Sequence, residues 1–244
     1  MDSGESVLPA QPTVPDPLST RHLQADLKGR SLRGGALTLV AQGAKFALQT
    51  ASTIVLARLL TPADFGIVAM VTAVIGIANW FADVGLSEAT IQQEEITQNQ
   101  VSTLFWINVT VGAVLTVVIA ALGPLLARFY REPRLTGITL LMSVSFLING
   151  LRVQHDALLK RQMRYKSLAL RDVVSYAIAV TLAITLAWAG GGYWAIVALP
   201  MAVNFFQMVL SWFMIRWRPG LPRRDAEIGS MLAFGGNQIG RAHV

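Results

Sequence analysis

The sequence contains no cysteine among its 244 residues, which excludes a disulfide framework and a thiolate metal site. Charged side chains are also scarce: they form 14% of the chain, whereas about 25% is usual in globular domains. Phosphate-binding loops, zinc-ligand spacings and paired carboxylates are missing too, so we expect neither an enzyme nor a bound cofactor or metal. What remains is a chain that is 53% hydrophobic, which favours a membrane over water.

The hydrophobic residues are gathered in six long runs. Each run is about long enough to cross a bilayer core of roughly 30 Å as a helix. The runs are Leu37–Ala57, Phe65–Ala82, Leu104–Ala127, Leu135–Leu151, Val173–Ala189 and Trp194–Ile215. They are continuous rather than alternating, which selects helices over a β-barrel. The predicted fold is therefore an all-α polytopic membrane protein with six transmembrane helices and the start of a seventh.

Short polar segments between the runs carry signals for helix ends. Thr61 is suited to an N-cap, Pro62 to the first helical position and Asp64 to the first turn, where a negative charge is favoured. Residues 97–100, Thr-Gln-Asn-Gln, have the spacing of a capping box. The link Gly190–Gly192 is too short to hold a domain, so the fifth and sixth spans are predicted to form a hairpin.

The positions of lysine and arginine predict the orientation. If the N-terminus is cytoplasmic, the outer segments hold only Arg58, Arg128, Arg131 and Arg134, and the other loop bases lie inside. We therefore expect the N-terminus in the cytoplasm. Because most of the +6 net charge would then follow the membrane surface, nucleic acid is excluded as a partner.

The first span carries a polar stripe. Its members share one helical face at spacings of three and four: Thr38, Gln42, Lys45, Gln49 and Ser52. Lys45 is the only charge well inside a span, and such a charge needs water, a carboxylate or an anionic ligand. We expect a hydrated cavity walled by this span, with Lys45 offering positive charge to an anionic solute. Asp83, at the edge of the second span, is the one nearby acid that could pair with it.

Other polar residues within the spans favour helix contacts over function, since amides and hydroxyls hydrogen-bond between helices. They are Thr72, Gly76, Asn79 and Asp83 in the second span, Asn204, Gln207 and Ser211 in the sixth, and the single Asn108 and Asn149. Residues 153–172 mix bases with apolar side chains. They form either the cytoplasmic ends of the fourth and fifth spans, which we favour, or an interfacial helix. Within them, His155 and Asp156 are expected to be solvated.

Several segments resemble, in order, the bacterial polysaccharide and lipopolysaccharide flippases, a family of the superfamily that also holds the multidrug and toxic-compound extruders. The resemblance covers residues 25–238. The matching segments are Leu56–Gly66, Phe81–Ser87, Ser102–Trp106, Phe129–Leu135, Leu158–Arg164 and Phe234–Asn237.

This resemblance implies one lobe of a two-lobe transporter in the bacterial inner membrane. Such a transporter would flip undecaprenyl-pyrophosphate-linked glycan by alternating access, among membrane lipid and beside polysaccharide assembly machinery. Cationic cavity residues would bind pyrophosphate and sugars. The candidate substrate-binding residues here are Lys45, Gln42, Gln49, Arg58, Asn79 and Asp83.

Three alternatives stay open. A multidrug/cation antiporter of the same superfamily needs a membrane-embedded acid, and the first span has none. A membrane-bound glycosyl- or acyltransferase needs a carboxylate or histidine cluster, which is not visible. A helical scaffold without transport activity is compatible with the polar stripes.

The sequence divides into four parts. Residues 1–34 are expected to be a disordered cytoplasmic tail, 35–218 the six-helix lobe, and 219–238 a cytoplasmic loop with the start of a seventh helix. Residues 239–244, Ile-Gly-Arg-Ala-His-Val, are what a common sequencing-adapter string encodes. We therefore expect these six residues to be foreign and the chain to be the front part of a longer protein.

Overall fold

The computed structural model describes residues 27–82, 90–91 and 96–222 of the chain. These residues form an α-helical bundle without a strand. The long helices are α1 (Leu27–Leu59), α2 (Pro62–Ala82), α3 (Gln98–Phe129), α4 (Arg134–Arg161), α5 (Tyr165–Trp188) and α6 (Tyr193–Met214). The predicted all-α fold is confirmed.

Within the described ranges, five of these helices, α2 to α6, are long and apolar enough to cross a membrane. The first helix is 33 residues long, and its polar stripe lowers its average hydropathy. Large apolar side chains on the outside of the bundle, such as Phe213 and Leu125, suit contact with lipid rather than water. The chain is therefore a multi-pass membrane protein.

The polar helix ends form as the sequence predicts. The backbone N–H of Thr61 donates to Asp64 Oδ2 at 3.0 Å, and the Asp64 N–H donates to Thr61 Oγ1 at 3.3 Å. Thr97 and Gln100 make the reciprocal bonds of a capping box at the start of α3. Each pair satisfies backbone donors that a helix start would leave without partners.

The fourth helix is longer than its apolar run. It continues past Leu151 to Arg161, and a three-residue turn then leads directly into α5. Residues 153–172 are therefore the ends of two spanning helices, as favoured above, and not a separate interfacial helix. This extension brings the charged residues of α4 and α5 into the bundle.

Packing is closest between α3 and α4. A Cβ on Gly112 would stand 2.5 Å from the backbone oxygen of Phe146, and one on Gly150 would stand 2.6 Å from that of Asn108. Thr116 Oγ1 donates across the same interface to the carbonyl of Ser143 at 3.0 Å. Glycine here allows two backbones to approach in a way that larger residues prevent.

A tight turn and two buried clusters complete the bundle. The α5–α6 hairpin turns at Gly190 and Gly192, whose φ angles of 81° and 54° suit glycine. Leu56 of α1 and Leu60, the residue after its end, pack against small alanines of α5 and α6 in a buried cluster. The main core lies between α2, α3, α4 and α6, around residues such as Val71 and Ile138.

We expect Gly150→Ala to destabilise the bundle, because the added methyl group would collide with the α3 backbone. Overpacking of this kind costs about 1–3 kcal/mol. The measurement is thermal melting of the purified protein in detergent. Gly76→Ala is the matched control, since a Cβ there meets nothing within 4 Å. Equal melting temperatures for both variants would contradict the close approach.

The orientation can be tested because the chain has no cysteine of its own. Arg131 and Lys166 are exposed near opposite ends of the bundle. If the N-terminus is cytoplasmic, a membrane-impermeant maleimide added to intact spheroplasts should label the Arg131→Cys variant and not the Lys166→Cys variant. Both should label after detergent is added. The reverse pattern in spheroplasts would invert the topology.

Candidate binding cavities

A first cavity of about 360 Å³ lies between α1 and the connected ends of α4 and α5. Three members of the α1 stripe, Thr38, Gln42 and Lys45, line it. From the other side come Lys160 of α4 and Tyr165, Arg171 and Asp172 of α5. We call this space the cationic cavity, because three cations and one carboxylate are among its lining side chains.

Lys45 is half-buried as a residue, and its ammonium has no ion-pair partner within the described ranges. Asp83, the acid suggested from the sequence as its counterpart, lies outside those ranges. An unpaired charge within a bundle is tolerated where it meets water or a ligand. The structure therefore places Lys45 on an open cavity and not in tight helix packing.

The remaining candidates lie elsewhere. Gln49 is exposed on α1, and Arg58 is exposed in the last turn of the same helix. Neither lines a cavity described here. Asn79 of α2 lines a second cavity. The sequence periodicity thus brings Gln42 and Lys45 together correctly, but it does not group them with Gln49, Arg58 or Asn79.

This second cavity, of about 510 Å³, lies between α2, α4 and α6. We call it the amide cavity. Its polar lining consists mainly of neutral side chains: Thr72, Asn79, Ser145, Asn149 and Asn204, with Arg152 as the one charged group. The sequence favours helix contacts for Thr72, Asn79, Asn149 and Asn204, with Asn79 also a candidate for substrate binding, and in the structure all four line this open space.

Charged side chains of α4 and α5 meet α6 in a buried network centred on Arg171, which is only 5% exposed. Its Nη2 donates to Asp172 Oδ1 at 2.7 Å, and its Nη1 donates to Asp156 Oδ1 and, at 2.8 Å, to Ser211 Oγ. Ser211 Oγ in turn donates to Asp156 Oδ1 at 2.8 Å. One guanidinium therefore holds two carboxylates and three helices together.

The network continues through Gln207 to a second guanidinium. Gln207 Nε2 donates to Asp172 Oδ1 at 3.1 Å, while its Oε1 accepts from Arg152 Nη1. Arg152 Nη2 donates to Asn149 Oδ1 at 3.0 Å. Because Asp172 lines the cationic cavity and Arg152 the amide cavity, this chain of side chains separates the two spaces.

The expectation of a solvated His155–Asp156 pair is wrong. His155 is fully buried, stacked on Trp212 at 4.4 Å between ring centroids, with Phe105 and Trp217 edge-on. Asp156 belongs to the arginine network. The reason is the extension of α4, which carries both residues into the bundle.

Sequence reasoning therefore missed Arg152, Asp156, Arg171 and Asp172, which it counted as surface charges. The sequence does contain one signal for this network. Arg152 and Asp156 are four residues apart, the spacing at which opposite charges meet on a helix, and their Nε and Oδ2 atoms are 3.7 Å apart. Across the described part of the chain, no group of three potential metal ligands occurs.

Comparison with known proteins gives consistent results. The profile of the family described as polysaccharide biosynthesis proteins matches residues 55–244. The chain is 32% identical over 123 residues to an uncharacterized membrane protein in the cps region of Klebsiella pneumoniae, covering 50% of this chain and 25% of that protein.

Two other relatives have names that report a role. The lipopolysaccharide biosynthesis protein WzxC of Escherichia coli is 24% identical over 144 residues, which is 59% of this chain and 29% of WzxC. The succinoglycan biosynthesis transport protein ExoT of Rhizobium meliloti is 26% identical over 156 residues, 63% of this chain and 31% of ExoT. The matched segments thus span under a third of these relatives, and no solved structure matches significantly.

We expect Arg171→Leu to destabilise the bundle strongly, because it leaves Asp156 and Asp172 without their main cation. Removing one partner of a buried ion pair costs about 3–5 kcal/mol. Thermal melting in detergent measures the effect, and adding Asp156→Asn to the same variant should restore part of the loss.

The control is Arg134→Ala. Arg134 Nε donates to Glu132 Oε1 at 2.8 Å, and this bond lowers the pKa of the Glu132 carboxyl. The pair is exposed to water, so its loss should change the melting temperature little. An equal effect of Arg171→Leu and Arg134→Ala would contradict the role of the buried network.

Proposed function

The chain belongs to the family of polysaccharide biosynthesis proteins, and we propose that its helices form one lobe of a polysaccharide exporter in the bacterial inner membrane. The transporter flips a lipid-linked oligosaccharide, carried on undecaprenyl pyrophosphate, from the inner to the outer leaflet by alternating access. Transport of polysaccharide is also what the name of ExoT reports.

The observation that carries this proposal is the position of Lys45. Its ammonium lines a cavity that it shares with Lys160 and Arg171, and no described carboxylate pairs with it. Asp172, the acid of this cavity, is occupied by the guanidinium of Arg171. The excess positive charge suits an anion, and a pyrophosphate is the anionic group of the proposed substrate.

The predicted orientation supports the same direction of transport. With the N-terminus cytoplasmic, the turn between α4 and α5 lies at the cytoplasmic end of the bundle. Lys160 and Tyr165, which flank this turn, line the cationic cavity. The cavity is therefore near the leaflet from which the proposed lipid-linked substrate would enter.

The rival functions have less support. A cation antiporter needs a free acid within the membrane to hold Na⁺ or H⁺. The two acids of the network, Asp156 and Asp172, are both bonded to Arg171. A membrane-bound glycosyl- or acyltransferase would need a cluster of carboxylates or histidines, and the described residues contain no group of three.

The test is complementation in the source bacterium, with the complete gene deleted and surface polysaccharide measured. We expect Lys45→Ala to lower surface polysaccharide about tenfold, because one charge-assisted contact to phosphate is lost. Lys45→Glu should abolish it, since like charges repel. Lys45→Arg, which keeps the charge, should retain most of it.

Lys166→Ala is the matched control, since Lys166 is an exposed lysine that lines neither cavity. All variants are compared at equal protein levels in the membrane. Normal polysaccharide in the Lys45→Glu strain would remove the cationic cavity from the transport mechanism. Drug sensitivity with intact polysaccharide would favour the antiporter instead.

A further inference from the structure

We propose that the amide cavity is a separate subsite for the neutral sugar hydroxyls of the transported glycan, distinct from the cationic cavity that takes the phosphates. The inference rests on the proposed transport function and adds that the two cavities bind different parts of the substrate. It names Asn79, Asn149 and Asn204 as the residues that contact sugar.

Two amides of this cavity have unused hydrogen-bonding capacity. The side-chain amides of Asn79 and Asn204 make no hydrogen bond to another residue in the part of the chain that the structure describes. The amide of Asn149 accepts from Arg152, which leaves its own N–H donors available. An amide offers donors and an acceptor together, and a sugar hydroxyl needs both.

The backbone of α6 adds an acceptor. Pro200 lies inside this helix and has no N–H, so it cannot donate to the carbonyl of Ile196, one turn earlier. Both residues line the amide cavity. Within a membrane, a carbonyl freed in this way needs another donor, from the protein, from water or from a ligand, and a polyhydroxylated ligand in the cavity can supply one.

The charge and shape of the cavity favour a neutral sugar. Arg152 is already engaged by Gln207 and Asn149, and its Nε lies 3.7 Å from Asp156, so its positive charge is balanced within the wall. Apolar side chains such as Met142 and Leu199 form the rest of the lining and suit the C–H faces of a sugar ring. The volume of about 510 Å³ is ordinary for a small-molecule site.

The linings of the two cavities are connected by a hydrogen-bonded chain of side chains. Asp172 on the cationic side bonds to Gln207, and Gln207 bonds to Arg152 on the amide side. A phosphate recognised in one cavity and a sugar recognised in the other therefore contact opposite sides of the same network.

The experiment measures binding of two probes to the complete protein in lipid nanodiscs. One probe is undecaprenyl pyrophosphate alone, and the other is the same lipid carrying a neutral tetrasaccharide of glucose and galactose. We expect the wild type to bind the glycan-bearing probe about tenfold more tightly, the gain of roughly two neutral hydrogen bonds. The double variant Asn79→Ala, Asn204→Ala should lose this advantage and bind the bare lipid as the wild type does.

The bare lipid reports on folding as well, because neither substitution removes a hydrogen bond within the described residues. Asn99→Ala is the matched control: Asn99 is exposed at the start of α3 and lines neither cavity. A purely structural role of Asn79 and Asn204 would weaken both probes equally and would overturn the inference.

The outcomes separate this inference from the proposed function. If Lys45→Ala weakens both probes while the double asparagine variant keeps the full glycan advantage, the sugar subsite is wrong and the transporter proposal stands. If Lys45→Ala changes neither probe while the asparagine variant loses the glycan advantage, the subsite stands and the phosphate role of the cationic cavity fails.

Discussion

The structure depends on one buried guanidinium. Arg171 of α5 holds Asp156 of α4, its own neighbour Asp172, and Ser211 of α6. Taking these charges out of water is costly, and the cost is offset only when every partner is in place. Three helices are therefore fixed relative to each other at this point, and the tight α3–α4 contact at Gly112 and Gly150 attaches a fourth.

The charge balance of this network explains the character of both cavities. Two guanidiniums, those of Arg152 and Arg171, are matched by two carboxylates, those of Asp156 and Asp172. Neither acid is left for Lys45, and no other carboxylate within residues 27–82, 90–91 and 96–222 forms an ion pair with its ammonium beside the cationic cavity. On the other side of the network, Arg152 is already neutralised, so the amide cavity has polar groups but little net charge. One set of ion pairs thereby leaves one cavity with excess positive charge and the other with little net charge.

Much of the fold was predictable because it depends on local periodicity. Apolar runs of bilayer length predict helices, and Thr61, Asp64, Thr97 and Gln100 mark helix starts that the structure confirms. The face shared by Gln42 and Lys45 follows from their three-residue spacing, and both line one cavity. The fourth helix shows where prediction from local periodicity fails. Its apolar run stops at Leu151, yet the helix continues to Arg161, because its polar end is stabilised by partners on α5 and α6 that are distant in sequence.

The sequence by itself thus determined the helical class, the membrane as the environment, the polar face of α1 and the family resemblance, since each depends on residues close together in the chain. Only the tertiary structure decided which charges are neutralised and which stay free. Asp156 meets Arg171 fifteen residues later and Ser211 fifty-five residues later, and no local pattern encodes such a meeting. The same holds for Asn79 and Asn204, which share a cavity because α2 and α6 both pack against α4. The burial of ion pairs and the position of open space are properties of the assembled bundle, because they depend on how distant helices pack.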